Sequence, residues 1–206
     1  MSKIKVFDMF AGYGGAEFAL KKAGIEHETI GYSEIDKDAI KCFDKNHPNI
    51  KNFGDCKEIN PKELPDFDLL TGGFPCQPFS EAGKHKGELD IRGTLFFDIV
   101  RIAEHKKPKY MLLENVKGLT FNNHKETFKK ILSELDRIGY DVTFKLVTSK
   151  RYGTPQSRER ILFACIRKDL NKKFVFPEEE ELKIFLKDIV EKDVPKKYFL
   201  SDKKLK

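Results

Sequence analysis

The sequence predicts an α/β fold, in which a mostly parallel β-sheet has helices on both faces and an antiparallel hairpin at one edge. Short runs of β-branched and aromatic residues alternate with helical patterns along most of the chain, as expected for a parallel sheet. The last two apolar runs follow one another with no helical pattern between them, which predicts two antiparallel strands.

The first part of the chain contains three predicted strands and two predicted helices. The strands are Lys3–Phe7, Glu28–Ser33 and Asp68–Thr71, and the helices are Ala16–Ala23 and Lys37–Asn46. Gly24 follows the first helix and Pro48 lies just beyond the second, where these residue types commonly end helices.

The second part continues the alternation and then loses it. Helices are predicted over Leu95–Glu104 and Lys125–Ile138, and strands over Tyr110–Leu113, Val142–Thr148 and Ile161–Ile166. Beyond Arg167 the pattern fades into a charged run, one amphipathic stretch and a lysine-rich end. We therefore predict a domain over residues 1–176 and a tail over residues 177–206.

Composition limits the class of protein. The 206 residues suffice for one domain with a tail, and 39% hydrophobic residues suffice for a core. The net charge of +6 suits a polyanionic partner such as a nucleic acid, although lysine-rich surfaces also serve solubility. No apolar run approaches the length of a membrane span, and no signal-like stretch opens the chain, so we expect a cytoplasmic location and no membrane partner.

The four cysteines lack CxxC pairing and metal-ligand spacing. We therefore expect reduced thiols and no metal site. Cys42, Cys56 and Cys165 lie in ordinary helical or strand-like surroundings, where cysteine serves as a small hydrophobic residue. Cys76 differs, because its neighbours predict a rigid turn.

A glycine-rich turn, Asp8–Gly15, follows the first predicted strand and opens the first helix. Such turns let the backbone approach a ligand, but NAD, FAD and S-adenosylmethionine binders share them with plain strand-to-helix turns. Glu34 ends the second predicted strand, where an acid can accept hydrogen bonds from ribose hydroxyls, and Asp55 follows where an adenine contact is expected. The Gly-x-Gly-Gly spacing differs from the Gly-x-Gly-x-x-Gly of dinucleotide enzymes and so disfavours NAD.

The segment Gly72–Ser80 reads Gly-Gly-Phe-Pro-Cys-Gln-Pro-Phe-Ser. Because it follows a predicted strand, Cys76 is expected at the carboxyl edge of the sheet, where open α/β folds bind ligands. A nucleophilic thiol would need nearby positive charge to lower its pKa from the ordinary value of about 8.5. A purely structural cysteine is the alternative.

A carboxyl group and two guanidinium groups are predicted near the same edge. Glu114 directly follows the strand Tyr110–Leu113, and Arg158 and Arg160 precede the last strand. Each alone is compatible with a solvated surface charge. Together with Cys76 they predict a reactive site on one rim.

These segments occur in the order typical of one family. The matching motifs are Phe10-x-Gly12-x-Gly14-Gly15, the Gly73–Ser80 loop, Arg92–Phe97, Glu114–Val116 and Gln156-x-Arg158-x-Arg160. From about Lys5 to about Phe176 the chain thus resembles the cytosine-C5 DNA methyltransferases, especially those of bacterial restriction-modification systems. The resemblance implies a Rossmann-like fold, S-adenosylmethionine as cofactor and methylation of DNA.

The resemblance also implies catalytic roles. Cys76 would attack C6 of a flipped cytosine, and Glu114 would donate a hydrogen bond or proton at N3. Arg160 would hold the base oxygen O2, and Arg158 would orient the thiol loop or a phosphate. Asn115 would either bind the exocyclic amine side of the base or brace the loop.

Ten residues fall on implied cofactor positions, and three on implied DNA positions. The cofactor residues are Phe10, Gly12, Gly14, Gly15, Glu34, Ile35, Asp55, Cys56, Pro75 and Leu95. The DNA residues are Ser80, Lys84 and Arg92, in a segment resembling the family loop that closes over DNA. Ile35 departs from the family, in which an aromatic residue at this position often stacks on adenine.

Family members normally continue into a target-recognition region and a final motif. Lys197–Lys203 resembles the lead-in to that region. We therefore expect a second subunit to supply these parts. The alternatives are a truncated remnant that only binds S-adenosylmethionine or DNA, an RNA cytosine methyltransferase, and a nicotinamide-dependent enzyme. The DNA target sequence does not follow from this chain, because base-specific contacts belong to the absent region.

Overall fold

The computed structural model describes residues 3–75, 95–121 and 124–201. The strands are β1 (Ile4–Met9), β2 (His27–Ser33), β3 (Leu69–Gly73), β4 (Tyr110–Val116), β5 (Tyr140–Thr148) and β6 (Glu159–Arg167). The helices are α1 (Gly15–Lys22), α2 (Lys37–Asn46), α3 (Leu95–Lys106), α4 (Lys125–Arg137) and α5 (Leu186–Ile189).

The six strands form one sheet in the order β2-β1-β3-β4-β6-β5. The pairs β1–β2, β1–β3 and β3–β4 are parallel, whereas β6 runs antiparallel to β4. The predicted fold class, a mostly parallel sheet with an antiparallel edge, is confirmed.

Burial of apolar side chains positions the elements. Phe7 and Met9 of β1 and Leu113 of β4 are fully buried and belong to one core cluster with Ile99 of α3 and Ile131 of α4. Removing these side chains from water is the main favourable term in holding the helices on the sheet.

Helix α2 has the same bounds as its prediction, and its start has a clear local cause. The Asp36 carboxylate accepts hydrogen bonds from the backbone N–H groups of Asp38 at 2.9 Å and Ala39 at 2.8 Å. This satisfies two of the N–H groups that the first turn leaves unpaired, so the helix begins at Lys37.

Strand β4 is longer than predicted. The sequence analysis ended it at Leu113, but pairing with β6 continues through Glu114 to Val116, which lies opposite Arg160. Glu114 therefore lies within the strand and not after it, and Arg160 lies within β6 and not in the preceding loop. The neighbouring strand supplies the hydrogen-bond partners that extend both elements.

Contacts between residues divide the chain into two units. The first lies within Met1–Val147 and Arg160–Phe176 and contains the sheet, except for the last residue of β5 and the first of β6. The second lies within Thr148–Glu159 and Pro177–Lys206, and within it the Arg151 guanidinium pairs with the Glu179 carboxylate at 3.2 Å. The domain boundary after residue 176 stays a prediction.

In the described ranges no helix is both long and apolar enough to cross a membrane.

Candidate active site

The turn after β1 uses left-handed backbone conformations at three positions. Phe10 has φ 57°, Gly12 has φ 57° and Gly14 has φ 90°. Glycine is required at position 14 for a second reason, because a Cβ there would overlap the imidazole of His47. Phe10 is the unusual member, since residues other than glycine seldom adopt this left-handed backbone conformation. The turn brings backbone N–H groups to the carboxyl edge of the sheet.

Glu34 is held by the backbone on both sides of its carboxylate. Oε2 accepts a hydrogen bond from the N–H of Gly12 at 2.9 Å, and Oε1 accepts from Ile35 at 2.8 Å and Asp36 at 2.9 Å. A carboxylate has about four acceptor positions, so one on Oε2 remains for a ligand hydroxyl. These contacts connect the end of β2 to the turn after β1.

The segment leading to Asp55 is also fastened to β2. The amide of Asn52 accepts from the N–H of Glu34 at 3.3 Å and of Gly54 at 2.9 Å, and it donates to the carbonyl of Glu34 at 3.1 Å. The Ser33 hydroxyl donates to the carbonyl of Gly54 at 2.7 Å. Asp55 is therefore placed beside the end of β2.

Together these segments surround a pocket of about 170 Å³. Its lining consists of Phe10, Ser33, Glu34, Ile35, Asp55, Cys56, Lys57 and Leu95. The structure thus brings six of the ten predicted cofactor residues together. Gly12, Gly14 and Gly15 lie in the adjoining turn or at the start of α1, and Pro75 is exposed after β3. Sequence reasoning missed Ser33 and Lys57, although each is next to a predicted contact.

Asp8 is a further acidic residue that the sequence analysis did not single out. Its side chain is buried, and the Thr71 hydroxyl donates to Oδ1 at 2.5 Å. Oδ2 has no hydrogen-bond partner among the described residues. Burial, with a smaller effect of the nearby Glu17 and Glu34, raises the pKa of this carboxyl to about 7, although the Thr71 hydrogen bond acts to lower it. The available signal was an acid at the first position of the glycine-rich turn, directly after an apolar run, and the structure places it within β1.

Glu114 and Arg160 form an ion pair on neighbouring strands. The Arg160 guanidinium Nε lies 2.7 Å from Glu114 Oε1, and the side chains of Arg160 and Glu114 are only 23% and 33% exposed. A Cβ at Gly73, opposite Glu114 on β3, would lie 3.4 Å from the other carboxylate oxygen. The Glu114 carboxylate thus lies directly beside Gly73 at the sheet edge.

Asn115 fastens the segment that follows β3. Its amide donates to the carbonyl of Phe74 at 3.0 Å and accepts from the N–H of Val116 at 2.8 Å. Only 1% of Asn115 is exposed, and both ends of its amide are used. This geometry favours the bracing role over direct contact with a base.

The remaining predicted residues fall outside this geometry. Cys76, Ser80, Lys84 and Arg92 lie outside the described residues. Arg158 belongs to the second unit, where its backbone exchanges hydrogen bonds with Ser149 at 3.0 and 3.2 Å.

The pocket lies at the topological switch point of the sheet. The connection after β1 leads to β2 on one side and the connection after β3 leads to β4 on the other, and open α/β sheets bind ligands at such a point. The fold and pocket together define a Rossmann-like protein of the methyltransferase class.

Solved structures share this fold. A DNMT2 mutant from Spodoptera frugiperda has a TM-score of 0.77 at 24% identity, covering 95% of this chain and 62% of that one. A putative DNA modification methyltransferase encoded within an E. coli prophage has a TM-score of 0.74 at 26% identity, covering 90% and 54%.

Sequence comparison shows the family. The model of the C-5 cytosine-specific DNA methylases matches residues 4–206, and this chain belongs to that family. The orphan methyltransferase M.SPRI of Bacillus phage SPR is 44% identical over 93% of this chain and 43% of its own length. The type II methyltransferase M.HaeII of Haemophilus aegyptius is 44% identical over 98% and 63%. The chain spans about half the length of the curated relatives it matches.

Proposed function

We propose that this chain is the catalytic part of a DNA cytosine-C5 methyltransferase, which transfers a methyl group from S-adenosylmethionine to a flipped cytosine. The main support is the arrangement of the sheet edge. The pocket with Glu34 and the Glu114–Arg160 pair lie at the carboxyl ends of parallel strands. Strand β3, between them, leads into the segment that contains Cys76.

The pocket fits S-adenosylmethionine chemically. The acceptor position left on Glu34 suits a ribose hydroxyl, and Asp55 offers a carboxylate acceptor for the adenine amine. Phe10, Ile35 and Leu95 provide apolar surface for the adenine ring. When bound, S-adenosylmethionine supplies an electrophilic methyl group. With Ile35 in place of an aromatic residue, we propose that adenine stacking depends mainly on Phe10.

The residues on the other side of β3 are proposed to act on the base. The Cys76 thiolate would bond to C6, which makes C5 nucleophilic toward the methyl group of the sulfonium. After methyl transfer, a base would remove the C5 proton, and the C6–S bond would break to release the thiolate. Glu114 would place a hydrogen bond or proton at N3, so that the ring can accept electrons from the thiolate. Arg160 contacts Glu114 in the ligand-free chain and would turn a guanidinium N–H toward O2 of the base.

Loop positioning is the role we propose for Asn115. It fixes the carbonyl of Phe74, two residues before Cys76, through a buried hydrogen bond. Arg158 keeps both roles implied by the resemblance, orienting the thiol loop or binding a phosphate. Ser80, Lys84 and Arg92 are proposed to contact DNA.

We also propose that residues 1–176 form the catalytic domain and that residues 177–206 lead towards a target-recognition region on a second polypeptide. The greater length of the relatives supports a further region, and its place on a second polypeptide is the proposal. Apolar side chains that remain exposed in the first unit also support a further region. They are 38–60% exposed and comprise Tyr13 before α1, Phe18 in α1, and Leu112 and Val116 on β4. Exposed apolar groups of this kind are typical of surfaces that another segment covers.

The test is methyl transfer from labelled S-adenosylmethionine to mixed genomic DNA, with RNA assayed in parallel. The chain would be assayed alone and with the product of a neighbouring reading frame. We expect transfer to DNA that disappears in Cys76→Ala and persists in Cys42→Ala, which alters an exposed cysteine on α2.

A mechanism-trapping cytosine analogue in DNA should form a covalent adduct with the wild-type chain and none with Cys76→Ala. A folded chain that transfers no methyl group under any condition would contradict the proposal and indicate an inactive remnant. Transfer to RNA alone would identify an RNA methyltransferase instead.

A further inference from the structure

The buried carboxyl of Asp8 has no role in the function proposed above. It lies in β1, two residues before Phe10, and pairs in register with Tyr32, next to Ser33 of the pocket. Alternation along the strand directs its side chain away from the face that Phe7 and Met9 occupy. Asp8 is thus a buried acid next to the strand ends that line the pocket, and near enough to the pocket residue Glu34 to feel its charge.

Among the residues that the structure describes, the groups that act on Asp8 supply no positive charge. Thr71 on β3 donates one neutral hydrogen bond, while Glu17 on α1 and Glu34 after β2 are acids that oppose ionisation of Asp8. The nearby basic side chains contact Glu17 instead: His27 Nε2 lies 3.2 Å and Lys21 Nζ 3.5 Å from its Oε2. His47, 4.0 Å from the same oxygen, has its pKa lowered by burial and by Lys21, against the opposing effect of Glu17. Oδ2 of Asp8 is buried without a partner in the described ranges.

The two ligands of a methyltransferase pocket differ by one positive charge. The donor S-adenosylmethionine carries a sulfonium, whereas the product S-adenosylhomocysteine has an uncharged thioether. A charge placed near a buried acid acts through an interior of low dielectric and favours its ionised form. Asp8 is therefore positioned to respond to this difference.

We propose that Asp8 makes the pocket prefer the charged sulfonium donor over the uncharged product, by releasing the proton of its carboxyl to solvent when the donor binds. This inference rests on the proposed function. The proton leaves to the buffer and no bond of the ligand changes. A pKa of about 7 in the ligand-free protein allows this exchange near neutral pH.

Thermodynamic linkage gives the expected size of the effect. If the donor lowers the Asp8 pKa well below 6, its affinity rises about tenfold between pH 6 and pH 8. The uncharged product should show little of this dependence. Donor binding should also release a measurable fraction of a proton at pH 7.

The experiment is calorimetric titration of both ligands at pH 6, 7 and 8. Phosphate and Tris buffers, which differ in ionisation enthalpy, report proton release directly. Wild type should show the tenfold rise for the donor, whereas Asp8→Asn should show a flat profile and a smaller preference for the donor. Asp66→Asn is the matched control, because this exposed carboxylate lies just before the start of β3, at the end of the strand away from the pocket.

A second variant keeps the test valid if Asp8→Asn does not fold. Thr71→Val removes the hydrogen bond that lowers the Asp8 pKa, so the midpoint of the profile should move to higher pH. Donor binding without proton release, or an unchanged profile in Thr71→Val and Asp8→Asn, overturns this inference alone. Binding of neither ligand by folded wild type overturns the proposed function with it.

Discussion

The two sides of the sheet edge hold their acidic groups in different ways. On the cofactor side, Glu34 accepts hydrogen bonds from three backbone N–H groups, two of them from the residues that follow it. On the base side, Glu114 contacts the side chain of Arg160, on an antiparallel strand. A backbone cradle depends on local conformation, whereas a side-chain pair depends on strand pairing and on both residue identities. Under the proposed function, the backbone cradle suits cofactor binding, and the side-chain pair suits an exchange of partners when a base binds.

The largest effect is expected from Glu114→Gln, which keeps the shape of the side chain but removes the acid. Loss of a positioned acid group should reduce the rate of methyl transfer about 100- to 10,000-fold. Affinity for S-adenosylmethionine, measured by calorimetry, should stay within about twofold. Glu104→Gln is the control, because this carboxylate forms a surface pair with Arg137 at 2.7 Å. Equal losses of rate and cofactor affinity would break the proposed division between the two sides.

The next effect concerns the pH dependence of stability. The Asp8 pKa is raised from 3.8 to about 7, so the native state retains a proton that the unfolded chain releases. The contribution of Asp8 to the free energy of unfolding therefore falls as pH rises from about 4 to about 7, by up to about 4 kcal/mol.

Urea unfolding of wild type and Asp8→Asn at pH 5 and pH 8 isolates this contribution. The difference between the two proteins should change with pH, and the variant should gain stability relative to wild type at pH 8. If the free energy of unfolding changed with pH equally in both proteins, the pKa of Asp8 would not be raised in the native state. The buried acid would then not distinguish the two sides of the sheet edge.

A smaller effect is expected from Glu34→Gln. The new amide group would face the N–H of Gly12, so one hydrogen bond becomes a contact between two donors. Affinity for S-adenosylmethionine should fall about 10- to 100-fold, as for loss of hydrogen bonds to a charged group. The methyl-transfer rate at saturating cofactor should change far less. Glu28→Gln, an exposed position on β2, should leave both unchanged, and a rate effect larger than the affinity effect would contradict the assignment.

The smallest effect is expected from Asn115→Ala, which leaves the carbonyl of Phe74 without its buried donor. The free energy of unfolding should fall by about 1–3 kcal/mol, measured by urea unfolding. Asn46→Ala removes an exposed side chain that donates to the carbonyl of Cys42 and should cost less. Similar values for both variants would argue against a bracing role.

Local patterns accounted for much of the fold and for the cofactor side of the site. Alternation of strands and helices predicted the sheet, and Asp36 set the start of α2 through its own neighbours. Glu34 was predicted because it ends a strand, whereas Phe10 and Asp55 fall on cofactor positions of the family that the sequence resembles, and all three line the pocket. These features depend on short-range geometry, which adjacent residues determine.

The tertiary structure decided the features that depend on distant pairing. Two apolar runs without a helix between them predict an antiparallel pair, but either run could lie next to β4. Burial and backbone pairing place β6 there, with β5 at the edge. The pairing of β6 with β4 extends β4 through Glu114 and Asn115 and sets Val116 opposite Arg160. It also brings the Arg160 guanidinium to the Glu114 carboxylate. The sequence by itself thus predicted most of the elements and six residues of the pocket, while only long-range strand pairing, which adjacent residues do not specify, determined that Glu114 and Arg160 meet at the sheet edge.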